Sequence, residues 1–172
     1  MRSRFSHLGC LVVLLITLLS HPAWAEWTVK REYNQMGNVA RCVLVSDTLP
    51  VNDGYQETQA YILVSTDAIV VKTKTPLDDS FADIGLQVDK NDFITMDKVL
   101  EERSALFASS YTKILEQFKK ELVPLKKGQK PQISKVRVQL RFWPTWPATG
   151  THDVEFSLAG FSKAYMDMVA CK

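Results

Sequence analysis

The chain has 172 residues, and its 21 Lys and Arg side chains nearly balance its 19 Asp and Glu side chains, for a formal net charge of +2. Two arginines lie in the first 25 residues, so the remainder carries 19 charges of each sign. This balance argues against a nucleic-acid-binding protein and against attachment to an anionic membrane surface. His152 is the only histidine after residue 25, which excludes a site built on two histidines there.

The first 25 residues have the pattern of a secretory signal peptide. Two arginines supply the positive start, an apolar run follows at Leu8–Leu19, and Ala23-Trp24-Ala25 gives the small-x-small pattern of a cleavage site. The run is shorter than the roughly 20 residues that span a bilayer, and an N-terminal membrane anchor is the alternative. We expect cleavage after Ala25, a periplasmic or secreted protein, and one exported domain at residues 26–172 without stable membrane insertion.

Two cysteines, Cys42 and Cys171, remain after residue 25, and an even pair in an exported chain indicates a disulfide. The bridge would join the C-terminal residues to an early strand and close a loop of about 130 residues, which stabilises by roughly 4–5 kcal/mol in the chain-entropy treatment. Two free thiols are the alternative. No Cys-x-x-Cys pair or Cys/His spacing favours a redox or zinc site, so we expect a structural bridge.

The first half of the mature chain predicts a series of short strands. Runs rich in β-branched and aromatic residues, separated by Gly, Asn and Asp, are typical of strands. We place strands at Trp27–Tyr33, Val39–Ser46, Gln59–Ser65, Ala68–Thr75, Ile84–Asp89 and Phe93–Met96. The pair on either side of Thr66-Asp67 has the pattern of a hairpin. Residues 51–58 and 76–83 are polar, and we interpret both as loops.

From Asp97 to Val123 the apolar residues are spaced by three and four, which is typical of an amphipathic helix. Asp97 is a suitable N-cap, Glu101 and Glu102 fall in the first turns, and Pro124 would end the helix. We therefore expect one long helix over Asp97–Val123. Its apolar stripe would pack on the domain's own sheet or, alternatively, serve as an interaction face.

The last third of the chain contains the clearest alternation. Ile133–Phe142 and Val154–Leu158 alternate apolar with polar residues, which predicts two half-buried strands. Gly160–Cys171 has apolar residues on one side of a short helix. The order of elements predicts an α+β fold: a mostly antiparallel β-sheet or sandwich with one long amphipathic helix and a short C-terminal helix.

The stretch that joins the last two predicted strands is rich in tryptophan and proline. Because proline cannot donate to a β-ladder, Pro144 and Pro147 mark the end of the strand pairing. Trp143 and Trp146 then either fold over the end of the sheet as a cap of the core or stand in solvent as a contact surface. We take these two tryptophans and two prolines as the candidate binding residues.

The candidates for chemistry are weak. His152 precedes Asp153, but neighbouring residues of a strand point to opposite faces, so this pair cannot act together. A surface histidine is the default interpretation, and a hydrolase built on His152 is the alternative. Residues 76–92 contain five aspartates without the spacing of a calcium loop. Solvated loop charges are therefore favoured over a metal site, and we expect no metal and no cofactor.

A run of lysines begins near the end of the predicted helix. Its members are Lys119, Lys120, Lys126, Lys127, Lys130 and Lys135. Aromatic residues do not interleave with them, as a nucleic-acid-binding groove would require. Contact with an acidic lipid or glycan is one interpretation, and a solvated helix end is the other.

Short motifs are spread over most of the mature chain. They are the W-x-V start at Trp27, the strand with Cys42, Pro76-Leu77 followed by Gly85 and Asp89, and Ser157-Leu158-x-Gly160-Phe161-x-x-Ala164. Together they resemble the invasion-associated locus B family of exported bacterial envelope proteins. Members usually carry a cysteine just after the Trp start and a further Cys pair in the middle, which this chain lacks. The resemblance implies a β-rich envelope or secreted domain without catalytic residues, connected in some members to host-cell entry.

The sequence therefore favours an exported, non-enzymatic protein of the bacterial cell envelope. It would act by binding a protein or a glycan of the envelope or of a host surface. The alternative is an envelope-acting hydrolase that uses His152 with a carboxylate from elsewhere in the fold. A scaffold without a ligand is a third interpretation. Because function follows sites rather than folds, the Trp-Pro stretch carries the leading hypothesis.

Overall fold

The computed structural model describes residues 27–123, 131–144 and 150–171, and within them the chain forms two antiparallel sheets, a two-stranded ribbon and two short helices. The strands are β1 (Thr28–Tyr33), β2 (Val39–Val45), β3 (Leu49–Asn52), β4 (Glu57–Val64), β5 (Ile69–Thr73), β6 (Gly85–Val88), β7 (Ile94–Thr95), β8 (Lys98–Leu100), β9 (Ser104–Phe107), β10 (Leu122–Val123), β11 (Gln132–Ile133), β12 (Lys135–Leu140) and β13 (His152–Ser157). The helices are α1 (Tyr111–Phe118) and α2 (Phe161–Ala170). The predicted α+β class with a mostly antiparallel sheet is confirmed.

The two sheets share one hydrophobic core. The larger sheet runs in the order β1-β2-β4-β5-β9-β8, with β3 also paired to β4, and the smaller sheet runs in the order β13-β12-β6-β7. Alternate residues turn inward, so Ile62 and Val64 of β4 and Val136 and Val138 of β12 are fully buried. Side chains from both sheets and both helices belong to the same buried cluster, so these layers stabilise one another.

The predicted hairpin around Thr66-Asp67 is confirmed as β4 and β5, whereas the predicted loop at residues 51–58 is wrong. Val51 pairs with Thr58 across β3 and β4, and both side chains are buried. The polar residues between these strands form the turn, where Asp53 N–H donates to Gln56 O at 3.0 Å. The polar residues therefore belong to the turn of a hairpin. β3 has only four residues, too few for the alternation of a strand to be recognised in the sequence.

The predicted long helix over Asp97–Val123 is wrong. Only α1 is helical, because the first part of the segment forms the β8–β9 hairpin and Leu122–Val123 forms β10. The apolar run in β9 pairs along β5, with Phe107 opposite Ile69. The spacing of the apolar residues in β9 also fits a helix, and pairing with β5, a strand about 30 residues earlier in the sequence, selects the strand. Asp97 is not a helix cap: its carboxylate accepts the N–H groups of Ala108 and Ser109, which precede the N-cap residue Ser110 of α1.

Glu101 and Glu102 form the turn between β8 and β9. Both residues lie in the left-handed region, with φ of 49° and 59°. Arg103 N–H donates to Leu100 O at 3.2 Å across this turn. Hairpin turns with two left-handed residues favour Asn-Gly, since a left-handed conformation costs other residues roughly 1–2 kcal/mol. The two glutamates gave no turn signal, which is why the hairpin was missed.

An aromatic cluster joins the start of the larger sheet to both helices. The ring of Phe161 lies edge-on to Trp27 with centroids 4.9 Å apart and edge-on to Phe118 at 5.2 Å. The Trp27 indole N–H also donates to Ser157 O at 3.1 Å, at the end of β13. Such aromatic pairs contribute about 0.5–1.5 kcal/mol each beyond the area they bury. The cluster therefore holds β1, α1, α2 and the smaller sheet together.

The predicted disulfide between Cys42 and Cys171 is confirmed. Their Cα atoms are 6.1 Å apart although 129 residues separate them in sequence. The bridge joins β2 to the residue that follows α2, so it closes the larger sheet against the C-terminal helix. The predicted signal peptide at residues 1–25 lies outside the described residues. Neither α1 nor α2, the helices of the described ranges, is long and apolar enough to cross a bilayer.

Glu102→Gly should raise the free energy of unfolding by about 0.5–1 kcal/mol, because glycine adopts this left-handed conformation without a steric cost. In a helix the same change would lower it by about 1 kcal/mol. Urea denaturation measures the difference. Glu116→Gly, at an exposed position of α1, is the matched control and should show the helical loss. Equal losses at both positions would contradict the β8–β9 hairpin.

Replacing both bridged cysteines, as Cys42→Ser with Cys171→Ser, should lower the free energy of unfolding by about 2–5 kcal/mol, because the unfolded chain regains its freedom. Thermal denaturation with and without reductant measures this. Reductant should lower the stability of the wild type to that of the double variant. It should leave the stability of the double variant unchanged. Thr112→Ser, a small change at an exposed position of α1 outside the bridge, is the control and should behave as the wild type does. A double variant as stable as the oxidised wild type would show that the bridge contributes nothing.

Candidate functional site

The candidate site lies where β12 leads into the Trp-Pro stretch. Phe142 forms an isolated bridge with Leu77, and Trp143 N–H donates to Pro76 O at 2.8 Å. Phe142 turns into the core at 2% exposed, whereas the next residue, Trp143, is 59% exposed. Of the two arrangements considered for the tryptophans, the structure places Trp143 in solvent on a hydrogen-bonded backbone.

The other predicted binding residues are only partly within the described chain. Pro144 is exposed next to Trp143. Trp146 and Pro147 lie outside the described residues. The binding role of the four residues therefore stays a prediction, and its structural support comes from Trp143 and Pro144.

Two further exposed aromatic side chains contact residues on either side of Trp143 in the sequence, which are Pro144 and Arg141. Tyr55, which is 63% exposed, donates its hydroxyl to Pro144 O at 3.4 Å. Arg141 lies two residues before Trp143, and its guanidinium carbon is 4.4 Å from the ring centroid of Phe81, which is 49% exposed. We call Tyr55, Phe81, Arg141 and Trp143 the aromatic end. Aromatic residues and arginine are the types enriched at binding surfaces.

Asp83 holds Arg141 in place beneath Phe81. The Nε atom of Arg141 lies 3.1 and 2.9 Å from the two carboxylate oxygens, and a second guanidinium nitrogen also donates to Oδ2. The hydrogen bond to Asp83 raises the pKa of Arg141 more than burial lowers it, so the guanidinium stays charged. The ion pair therefore provides a fixed, planar cation on which the ring of Phe81 rests.

Asp53 holds the turn that carries Tyr55. Its Oδ1 accepts the N–H groups of Tyr55 and Gln56, both at 2.9 Å, and its Oδ2 accepts the hydroxyl of Thr75 at 2.9 Å. Burial raises the pKa of Asp53. These hydrogen bonds and the nearby His152 together lower the pKa by a larger amount, so it lies below its ordinary value. The ionised carboxylate thus fixes the position of Tyr55 beside Pro144.

His152 lies behind this surface rather than on it. It pairs with Leu140 across β13 and β12, and its ring centroid is 5.9 Å from that of Phe142. Its Nε2 atom is buried and makes no hydrogen bond within the described residues. Asp153 points to the opposite face, as the alternation predicted, and pairs with Arg137 at 3.3 Å. The described hydrogen bonds connect His152 to no nucleophile, so no catalytic arrangement is assembled among these residues.

The acidic stretch at residues 76–92 is used in local contacts. Asp78 is buried and accepts the N–H of Ser80 at 3.0 Å, Asp83 pairs with Arg141, and Asp89 accepts the N–H of Lys135 at 3.0 Å. Over residues 27–123, 131–144 and 150–171, no three His, Cys, Asp or Glu side chains are grouped to hold a metal ion. Asp78, Asp83 and Asp89 therefore position loops within the described fold.

Sequence reasoning missed Tyr55, Phe81 and Arg141. Tyr55 and Phe81 stand in segments interpreted as polar loops, and Arg141 is one of the polar residues of the predicted strand Ile133–Phe142. Only the pairing of the strands brings these three segments to the same end of the fold. The adjacent Asn-Asp-Gly turn pattern is the one local signal that pointed to an ordered turn at Tyr55.

Comparison of the chain with models of protein families, with curated proteins and with solved structures finds no match. The resemblance to the invasion-associated locus B family therefore stays a prediction. Function has to be inferred from the side chains of the site itself.

Asp53→Asn should lower the free energy of unfolding at neutral pH by about 1–3 kcal/mol, because a neutral amide is a weaker acceptor for three donors. The folded-state pKa of Asp53 lies below the ordinary 3.8. Its contribution is therefore complete above the unfolded-state pKa and is lost as the pH falls through the folded-state value.

Thermal denaturation from about pH 2 to about pH 7 measures this dependence. The wild type should lose stability more steeply than Asp53→Asn on the acid side. Asp92→Asn, at an exposed position, is the control and should parallel the wild type. Identical acid limbs for the wild type and Asp53→Asn would contradict the role assigned to this carboxylate.

Proposed function

We propose that the protein is an exported, non-enzymatic binding protein of the bacterial cell envelope, which contacts a protein or glycan partner through the aromatic end. The observation that carries this proposal is the exposure of Trp143, at 59%, on a backbone that is hydrogen-bonded to Pro76. A large ring held in solvent by a fixed backbone loses little conformational freedom when a partner covers it. Trp143 is therefore suited to be the anchor of a binding surface.

The surroundings of Trp143 support this proposal. Tyr55 and Phe81 add exposed rings, and Arg141, whose side chain is 13% exposed and paired with Asp83, holds the ring of Phe81 in place. Covering the exposed part of one tryptophan contributes on the order of 2–3 kcal/mol of hydrophobic free energy. Hydrogen-bonding groups at the rims of these rings, such as the Tyr55 hydroxyl, give a partner its orientation.

Export is supported by two independent features. The N-terminal residues have the charge and apolar pattern of a signal peptide. The Cys42–Cys171 bridge fits an oxidising compartment such as the periplasm or the cell exterior. The short motifs that resemble the invasion-associated locus B family agree with an envelope location.

The competing hydrolase hypothesis requires a different set of accessible atoms. It requires His152 Nε2 to reach a substrate, but this atom is buried and the ring packs beside Phe142. The binding hypothesis requires exposed anchors, and Trp143 and Tyr55 supply them. The aromatic end therefore explains more of the observed arrangement than His152 does.

Trp143→Ala should weaken retention of the protein on its envelope partner by about tenfold or more, because the exposed ring is the largest anchor. Purified bacterial cell-wall sacculi and a detergent-solubilised envelope protein fraction serve as separate glycan and protein probes. The fraction of protein retained on each probe is measured over a range of concentrations. Tyr33→Ala is the matched control, since Tyr33 is an equally exposed aromatic at 60% in β1.

His152→Ala separates the two hypotheses. A binding protein should keep its retention in this variant, whereas a hydrolase should lose all release of soluble fragments from the sacculi. Trp146→Ala tests the remainder of the predicted surface. Retention of Trp143→Ala equal to that of Tyr33→Ala would overturn the proposal, and effects confined to stability would indicate a scaffold.

A further inference from the structure

A groove of about 1080 Å³ lies beside α1 and shares no lining residue with the aromatic end. Its walls come from α1, from β12, from the β10–β11 ribbon and from the turn after β6. The turn after β6 is separated from α1 by the strands β7, β8 and β9, so the groove is a product of the tertiary fold. Its size suits a ligand of several chemical units rather than a single ion.

Cationic side chains outnumber carboxylates along this groove. The cationic residues are Lys90, Lys113, Lys120, Lys135 and Arg137, against three carboxylates. Lys135 pairs with Glu155 at 3.1 Å, and Arg137 pairs with Asp153 at 3.3 Å. Within the described residues, Lys90, Lys113 and Lys120 form no ion pair and no side-chain hydrogen bond. These three ammonium groups are therefore available to an anionic ligand.

Two of these lysines flank an unpaired hydrogen-bond acceptor. Lys113, Gln117 and Lys120 are spaced by four and three residues, so they share one face of α1 and its last turn, over roughly 10 Å. Lys120 N–H donates to Gln117 O at 3.1 Å, which continues the turn beyond the helix. The Oε1 atom of Gln117 is buried and has no hydrogen-bond partner among the described residues. Because a buried acceptor without a donor costs about 1–3 kcal/mol and the Gln117 side chain lines the groove, rotation of its amide toward a donor supplied by a ligand would stabilise this face.

We propose that this groove binds an acidic saccharide. Carboxylate or phosphate groups of the ligand contact Lys113 and Lys120, and the Gln117 amide turns into the groove so that its Oε1 accepts a ligand hydroxyl. The lining contains no aromatic ring among the described residues, so it does not stack nucleic-acid bases, and Leu122 and Val123 are its main apolar members. The side-chain amide of Asn91 adds an acceptor and donors suited to a hydroxyl-rich ligand, whereas that of Gln87 is engaged by Asn91 O and Arg137. This site is independent of the aromatic end and does not rest on the function proposed for it.

Isothermal titration of the full chain with tetragalacturonate tests the proposal. Maltotetraose is the neutral counterpart, hexaglutamate is the acidic-peptide counterpart, and a hexose phosphate tests phosphate as the anionic group. We expect tetragalacturonate or the hexose phosphate to bind at least about tenfold more tightly than maltotetraose or hexaglutamate. Failure of both acidic saccharides to bind, or equal binding of hexaglutamate, would overturn the proposal.

Variants of the helix face locate the site. Lys113→Gln with Lys120→Gln should weaken saccharide binding by about tenfold or more, as should Gln117→Met, which removes the amide and leaves the charge unchanged. Gln117→Met should unfold no earlier than the wild type, because it removes an unpaired buried acceptor, so a loss of binding does not reflect unfolding.

Lys30→Gln with Lys98→Gln is the matched control, since both lysines are exposed and the net charge changes equally. An equal loss in this control, or unchanged binding in Gln117→Met, would reduce the effect to general charge attraction and overturn the proposal. Trp143→Ala should leave saccharide binding in the groove unchanged, so this result is separable from that for the aromatic end. A loss in Trp143→Ala as large as in the lysine variant would place the saccharide at the aromatic end and overturn the proposal.

Discussion

The packing of Phe161 between Trp27 and Phe118 is the contact on which the rest of the fold depends. β1 is an edge strand of the larger sheet, so one of its sides has no neighbouring strand in the described sheet. The indole N–H of Trp27 reaches Ser157, across 130 residues, and so attaches this edge to the end of the smaller sheet. Both helices contribute a ring to the same cluster. Aliphatic contacts alone would allow the two sheets to pack in several relative positions. Edge-on aromatic rings and a directional hydrogen bond favour one of these positions.

The sequence predicted structure well where local pattern decides it. β12 and the β4–β5 hairpin alternate over enough residues for the period to be visible, and the two remaining cysteines left one possible pair. Prediction failed where the secondary structure of a segment depends on pairing with a strand that is distant in sequence. The apolar run of β9 fits either a helix or a strand, and only its pairing with β5 selects the strand. The turn at Glu101-Glu102 lacks glycine or asparagine, so nothing local separated β8 from β9.

The same distinction applies to the candidate surfaces. Trp143 was predictable because tryptophan and proline are concentrated in one short stretch, a signal that is local by nature. Its neighbours Tyr55 and Phe81 come from two other loops, and their relevance depends on strand pairing. The groove beside α1 is less accessible still to sequence reasoning. The lysine run includes Lys120 and Lys135, but Lys90 joins them only through the tertiary fold.

The bridge between β2 and the end of α2 determines when the chain can mature. A ribosome that adds about 5–20 residues per second needs roughly 6–25 s to make the segment between the two sulfurs. Throughout that interval the first thiol has no native partner, and in an oxidising compartment it would be open to mixed disulfides with other molecules. Under the proposed export, the yield of correctly bridged protein would depend on the thiol-exchange capacity of its surroundings as much as on the strength of its own packing.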